Sequence, residues 1–505
     1  MPSELPSADD PDPLGPRGGP RVQRTGAKAQ ANQGRGPRHG GVIAHSVPDP
    51  IAHEHSASGL GALKSSASRA ATTAAGSSMP ALLPFLLVVP SGLCNALSLV
   101  ALPYFLAQRG VKMQEVGLSV AVSMLPHAWR FLLGPLADLW LRRRTWYLLA
   151  VTMAAVSAVG LYSLLDRHSP PLSLINLLLL SLSLGVAMAD TAVASLAASS
   201  VAIHDQTRAA SAYTLGQLAW QGILGSLVLL LREPPTWLVT RVGWLPLSHT
   251  GVGVVAGCGM LLAALTVLWV RESPQQVRRP RFAVSRRSVA ADDAQAVYQP
   301  LWRELVQFAR SRPGMLGLLA CILPLGTSAI DCLEGALAGD YRATASHVAF
   351  VGGIGGTLAG VIGALAGSLA VTRLGRFSAY VAASASMGVT ALALAILPAS
   401  PSMYVVGMLF YGALASACAA AFNAYAFELI ASCRAPSSVC GLLYGAVNIP
   451  LSYMLVFDGW AHTRAGRGGL FVADGLACLL AVAGLVAVSR ARLRATEPVL
   501  SPATE

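Results

Sequence analysis

A few side chains able to carry charge stand inside long apolar runs of this chain: His127, Arg130, Asp190, the pair Asp331 and Glu334, and Glu428. Burying such a group among apolar residues is costly, so each marks a functional position by default. His127 and Arg130 are three residues apart, as are Asp331 and Glu334, which puts each pair on one face of a helix. Arg130 lies about two turns from the end of its run. It either turns inward to meet an acid or an anionic substrate, or reaches along the lipid to the headgroups. The acids available to it are Asp190, Asp331, Glu334 and Glu428. His127 suits a proton carrier, because an unperturbed imidazole titrates near neutrality, and it equally suits a packed, hydrogen-bonded role. A carboxyl desolvated in a helix bundle can take and release protons near neutral pH, so Asp331 and Glu334 are the expected proton-coupling groups of the second half. Asn95, Gln217, Gln221, Asn423 and Asn448 add uncharged donors and acceptors, fit for sugar or amide recognition or for bonds between helices.

The elements that position these groups are membrane helices. Of 505 residues, 54% are hydrophobic and only 12% are charged, against about 25% charged in a soluble domain. The apolar runs are each near the ~20 residues that cross ~30 Å of hydrocarbon. They read as twelve spans, the seventh over Gly314 to Ala336 and the last two over Val439 to Val456 and Leu470 to Val488. The expected fold is an all-α membrane protein of twelve transmembrane helices in two pseudo-symmetric six-helix halves. Its domains are a disordered basic tail over residues 1–79, a first half over 80–271, a linker with a short interfacial helix over 272–312, a second half over 313–490 and a tail over 491–505. In the first span Pro84, Pro90 and Pro103 predict a kinked or interrupted helix, whose freed carbonyls a partner or substrate can use.

Charge placement sets the orientation. With the N-terminus inside, the cytoplasmic loops and the C-terminal tail carry nineteen Lys and Arg, and the opposite loops eight. That bias places both termini in the cytoplasm of a multi-pass membrane protein. The net charge of +12 therefore belongs to the tail and alternate loops, where it faces the lipid bilayer, and nucleic acid is not an expected partner. The eight cysteines include no CxxC pair, so no metal site, cofactor or disulfide framework is expected. No HExxH, Ser-His-Asp arrangement or phosphate-cradling glycine loop lies at a membrane face, which argues against an enzyme. A transporter fits best. An efflux carrier for small amphiphiles is the rival within transport, and a receptor or scaffold signalling through its long tail is the rival outside it.

Two stretches carry a family resemblance. GPLADLWLRRR after the second span resembles the loop signature of the major facilitator superfamily, with Gly134, Asp138, Arg142 and Arg143 in place and Leu139 and Leu141 departing from it. GSLAVTRLGRF after the eighth span keeps Arg373, Gly375 and Arg376 but has Ser368 and Thr372 at the glycine and acid positions. By that resemblance Asp138 and Arg142 gate the cytoplasmic side, and the central cavity lies between helices 1, 2, 4, 5, 7, 8, 10 and 11. More narrowly, residues 91–138 resemble the AmpG-type muropeptide permeases and the related acetyl-coenzyme A transporters, through Leu125, Pro126, Arg130, Phe131, Pro135, Leu136 and Asp138. Asp190 stands where those proteins carry a Gln-Asp pair, with Ala189 replacing the glutamine. The resemblance implies a monomeric permease of a bacterial-type inner membrane, taking up a polar solute such as an anhydromuropeptide by proton symport.

Overall fold

The computed structural model describes residues 79–80, 82–130, 133, 142–201, 205–270, 303, 305–431 and 436–494. The tail read up to residue 78, most of the linker, and the loop residues Gly134 and Asp138 lie outside them. No β-strand occurs among the described residues. The first half comprises α1 (Leu83–Gln108), α2 (Met113–Ala128), α3 (Arg143–Leu165), α4 (Leu172–Ser200), α5 (Gln206–Arg232) and α6 (His249–Trp269). The second half comprises α7, in two pieces (Arg312–Ile322 and Ala329–Leu337), α8 (Ala345–Leu374), α9 (Arg376–Ile396), α10 (Pro401–Ala431), α11 (Pro436–Ala446, then 448–464) and α12 (467–494). The last two helices run into one another at a bend, where Ala465 and Gly466 leave helical backbone. Twelve spans result, with both described ends on one face, called here the terminal face; the other is the distal face.

Hydrocarbon supplies no water to a broken helix, so any carbonyl released there must find a protein donor. Helix α1 is interrupted at Val88 and widens into a π-turn over Ala96–Ala101, just ahead of Pro103. Its carbonyls are met from neighbouring helices. The Trp220 indole donates to Phe85 (2.8 Å), the Tyr147 hydroxyl to Leu87 (2.7 Å) and the Tyr162 hydroxyl to Leu97 (3.0 Å). Both tyrosines are fully buried on α3, where a phenol needs a partner.

The second half repeats this device in its own first helix. The seventh span is not continuous as read from the sequence: it breaks over residues 323–328, around Pro324, with Gly326 and Ser328 at φ of 60° and 58°. The left-handed conformation at Ser328 costs about 1–2 kcal/mol for a residue with a Cβ. The Tyr380 hydroxyl of α9 spans the break, bonding the carbonyls of Ala320 (3.1 Å) and Leu325 (3.3 Å). Tyr453 of α11 donates to the carbonyl of Ile322 (2.8 Å). In each half, then, a tyrosine of the third helix stabilises a break in the first.

The halves meet toward the distal face, where glycines let backbones touch. A Cβ on Gly459 of α11 would lie 2.7 Å from the Met113 carbonyl of α2, and one on Gly335 of α7 would lie 2.6 Å from the Val100 carbonyl of α1. Across the same seam the amide N–H of Gln114 donates to the Thr463 hydroxyl (3.2 Å), and the Ser226 hydroxyl of α5 donates to the Ala349 carbonyl of α8 (2.6 Å).

Also at the distal face, the start of α6 is capped from two sides. Asp166, just past α3, accepts from the amide N–H groups of His249 (3.1 Å) and Thr250 (2.8 Å) and from the Thr250 hydroxyl (2.7 Å), while Ser248 accepts from the Gly251 amide (3.0 Å). Three of the four amides that a helix start leaves unpaired are thus satisfied. Burial acts to raise the proton affinity of Asp166, but the bonds from Thr250 and His249 outweigh it and hold the carboxyl below its ordinary range. Asp166→Ala is expected to lower stability in detergent by about 1 kcal/mol, the usual worth of an N-cap. Because the folded-state pKa is lowered, this contribution is present above about pH 4, the ordinary carboxylate value, and fades as the pH falls below it. Thermal melts of wild type and variant across that range check both points.

Candidate functional site

Four helices of the first half converge on one carboxylate. Asp190 of α4, 4% exposed, accepts the Ser91 hydroxyl of α1 on one oxygen (2.5 Å) and the Gln217 amide of α5 on the other (3.3 Å). Arg130, one turn past the start of α2's last proline turn at Pro126, places a guanidinium nitrogen 3.9 Å from that second oxygen. Its other nitrogen donates to the Tyr213 hydroxyl (3.2 Å), which also receives the Gln217 amide (3.1 Å). The charges are matched, but 3.9 Å is long beside the ~2.7–2.9 Å of a tight charge-assisted bond. Asp190 is therefore held chiefly by Ser91 and Gln217. The Arg130 side chain keeps 34% exposure and has donors to spare, since a guanidinium carries five N–H groups. Such a cation is placed to receive an anionic or strongly polar solute while its counter-charge stays fixed behind it.

Further toward the distal face, Asn95 of α1 donates to Gln221 of α5 (3.1 Å). Gln221 also lines a cavity of about 180 Å³ between the halves, where it faces Asp331 and Glu334 of α7, Thr357 of α8 and Ser416 of α10. Glu334 is 7% exposed, and Asp331 is half-buried at the cavity wall. Gln221, bonded to Asn95, thus shares one cavity with Asp331 and Glu334 of the other half, and these four groups make up a polar layer drawn from both halves.

The remaining sequence-derived residues take other positions. His127 packs beside Arg130 and has no hydrogen-bond partner among the described residues. Asn423 accepts the Tyr444 hydroxyl (2.9 Å), and Asn448 donates to the Tyr444 carbonyl (2.8 Å), where α11 is interrupted at Val447. Glu428, one of the possible partners of Arg130, instead pairs with Arg376 (3.2 Å), joining the terminal ends of α10 and α9. Arg143 bonds the Ser195 carbonyl (3.0 Å), joining α3 to α4. Arg142 and Arg373 are exposed at the terminal face. Ser91 and Tyr213 were not singled out from the sequence. Tyr213 could have been, since it stands four residues before Gln217 and so on the same helical face.

A bundle of two six-helix halves, with broken first helices and a polar seam between the halves, is the architecture of a secondary membrane transporter. Residues 84–449 match the family model of the Major Facilitator Superfamily, and the chain belongs to that superfamily. No curated protein sequence matches it. Among solved structures, a bacterial homologue of the human lysosomal transporter Spinster, in an inward-facing and unoccupied conformation, superposes with a TM-score of 0.60 at 16% identity, covering 84% of this chain and 98% of that one. The nucleoside transporter NupG gives a TM-score of 0.58 at 12% identity, covering 82% and 100%. The xylose transporter XylE from E. coli, in an inward-open conformation, gives 0.57 at 13%, covering 80% and 95%. These likenesses concern the fold.

The Arg130–Asp190 geometry gives an asymmetric expectation. Arg130→Gln leaves a buried carboxylate without its counter-charge, whereas Asp190→Asn leaves a cation that reaches water. Arg130→Gln should lower stability in detergent by about 1–3 kcal/mol, Asp190→Asn by less, and the double variant should recover most of the Arg130→Gln loss. Thermal melts of the three purified variants measure this.

Proposed function

We propose that this secondary transporter takes up a polar solute by proton-coupled alternating access, with an anhydromuropeptide as the first substrate to test. The observation that carries the reading is the half-exposed Arg130 guanidinium, backed by Asp190 and flanked by the Tyr213 hydroxyl and Gln217 amide. A cation among neutral donors and acceptors suits a solute that joins sugar and amide groups to a carboxylate. The choice among such solutes comes from the resemblance of residues 91–138 to the muropeptide permeases. Proton coupling is supported by Asp331 and Glu334 at the cavity wall. The Lys and Arg bias of the loops supports a cytoplasmic terminal face, in a bacterial-type inner membrane, with the protein acting as a monomer. The distal seam then corresponds to closure toward the outside.

In the resulting cycle, solute binds at Arg130 and the proton within the adjoining polar layer, and the halves rock so that the seam of α1 with α7, α2 with α11 and α5 with α8 parts while the terminal side closes. Arg142, Arg373 and Arg376 at the terminal face, with Asp138 of the signature loop, act as the gate that forms in that alternate state.

Uptake of labelled anhydromuropeptide into vesicles, with and without an imposed pH gradient, tests the substrate and the coupling. Gradient-dependent uptake by wild type, lost in Arg130→Ala and Asp190→Asn at equal protein levels, is the expected result. No uptake by correctly folded wild type would overturn the muropeptide reading. Rocking makes a separate prediction. The added methyl in Gly459→Ala should disfavour the distal-closed state by about 1–3 kcal/mol, a shift of roughly 5- to 150-fold in population. Labelling of a cysteine at Met113, buried at the distal seam against Gly459, by an impermeant thiol reagent should rise accordingly.

A further inference from the structure

The second half holds a group of acids that the site described above does not use. Asp458 of α11 and Asp474 of α12 lie eight residues on either side of Gly466, the bend between the two helices. At 1.5 Å per residue both sit about 12 Å below the distal end of the hairpin, at one level. They are 0% and 3% exposed. Tyr411 of α10 donates its hydroxyl to Asp474 (3.1 Å), so Asp474 is an acceptor there. Asp458 differs: both of its carboxyl oxygens are buried with no hydrogen-bond partner. Asp474 lies within electrostatic range of Asp458 and also of Asp331, which reaches the inter-half cavity.

Among the described residues no cation is paired with these acids. Helix α7 brings Asp331 and Glu334, α10 brings Tyr411, and α12 adds Cys478. The titratable groups of α9 are Tyr380, bonded to the α7 break, and Arg376 at the terminal end, paired with Glu428. Lys112 and Glu115 of the neighbouring α2 are exposed. The basic groups of the distal loop are engaged elsewhere. Arg467 bonds the Tyr341 hydroxyl and the carbonyls of Leu394 and Leu397, His462 pairs with Asp340, and Arg464 lies over the Trp460 ring. A bare carboxylate without donors is very costly in such a place, whereas the neutral acid is far less so. Two neighbouring carboxyls with no cation commonly share one proton.

We infer that Asp458 and Asp474 together hold one exchangeable proton, loaded and released through Asp331 at the cavity wall. A proton from the cavity adds to the Asp331 carboxylate and moves on to the Asp458–Asp474 pair. Asp331 is ionised again, and the pair gains one positive charge. The hydroxyl of Tyr411 holds Asp474 as the acceptor, which directs the proton to Asp458. As a coupling site the cluster rests on the proton-driven reading above; as a proton-binding site it does not.

Infrared difference spectra of the full-length protein in proteoliposomes, between acidic and alkaline buffer, read the C=O stretch that a carboxyl shows only when protonated. Wild type should show a pH-dependent band that is lost in Asp458→Asn and in Asp474→Asn and kept in Asp190→Asn. In Asp331→Asn the band should survive at equilibrium but form several-fold more slowly after a pH jump. Asp458→Glu, which retains the acid, should keep the proton and shift the band, and it decides the matter if the asparagine variants do not fold. Absence of the band from wild type at every pH, or its persistence unchanged in both asparagine variants, would overturn the inference. So would a band that responds to added sodium or potassium and not to pH, which would indicate a metal cation in place of the proton. None of these readings requires transport, so failure of the substrate proposal leaves them intact.

Discussion

A carboxylate inside a lipid-embedded bundle must be met by donors from the helices around it, and much of the first half follows from meeting that demand at Asp190. Ser91, Gln217 and Arg130 arrive on three different helices, so the charge fixes the mutual positions of α1, α2, α4 and α5. The same demand operates on the backbone. Breaks in α1 and α7 expose carbonyls that tyrosine and tryptophan side chains of neighbouring helices satisfy. Among the described residues the buried charges and the helix breaks are where side chains of several helices converge to hydrogen-bond.

The two halves meet the demand differently. The first balances its acid with a cation and several neutral donors. The second keeps Asp331, Glu334, Asp458 and Asp474 in its spans with arginines only near helix ends and in loops. One half thus pairs its buried acid with a cation, the other holds its acids without one near them among the described residues, and a seam of close-packed glycines lies between them.

Much of this was legible in the sequence, for stated physical reasons. The apolar runs had to be helices of membrane length, and the alternation of basic loops fixed their number. Arg130 and Asp190 stood out because charge in hydrocarbon is rare, and Asp331 and Glu334 for the same reason. The break in α7 was missed, although Pro324 followed by Gly326 signalled it, because apolar content ran straight through. Asp458 and Asp474 were passed over singly. Only their equal distance from the bend at Gly466 shows that they share a level, and that requires knowing where the hairpin turns. Arg130 and Asp190 were expected together as the polar core of the first half; that they approach to 3.9 Å with Ser91 and Tyr213 beside them depends on how helices far apart in sequence come together.

In the proposed cycle the two halves rock about the polar layer, and paired spin-label distances in lipid test this most directly. In a cysteine-free background, one pair would join Gln114 to Arg464 across the distal seam, and a second would join Arg208 to Arg373 on the terminal face. Two populations are expected, one with the distal pair short and the terminal pair long, the other reversed, their balance shifting as the pH is lowered. A single population with both distances fixed under every condition would contradict it.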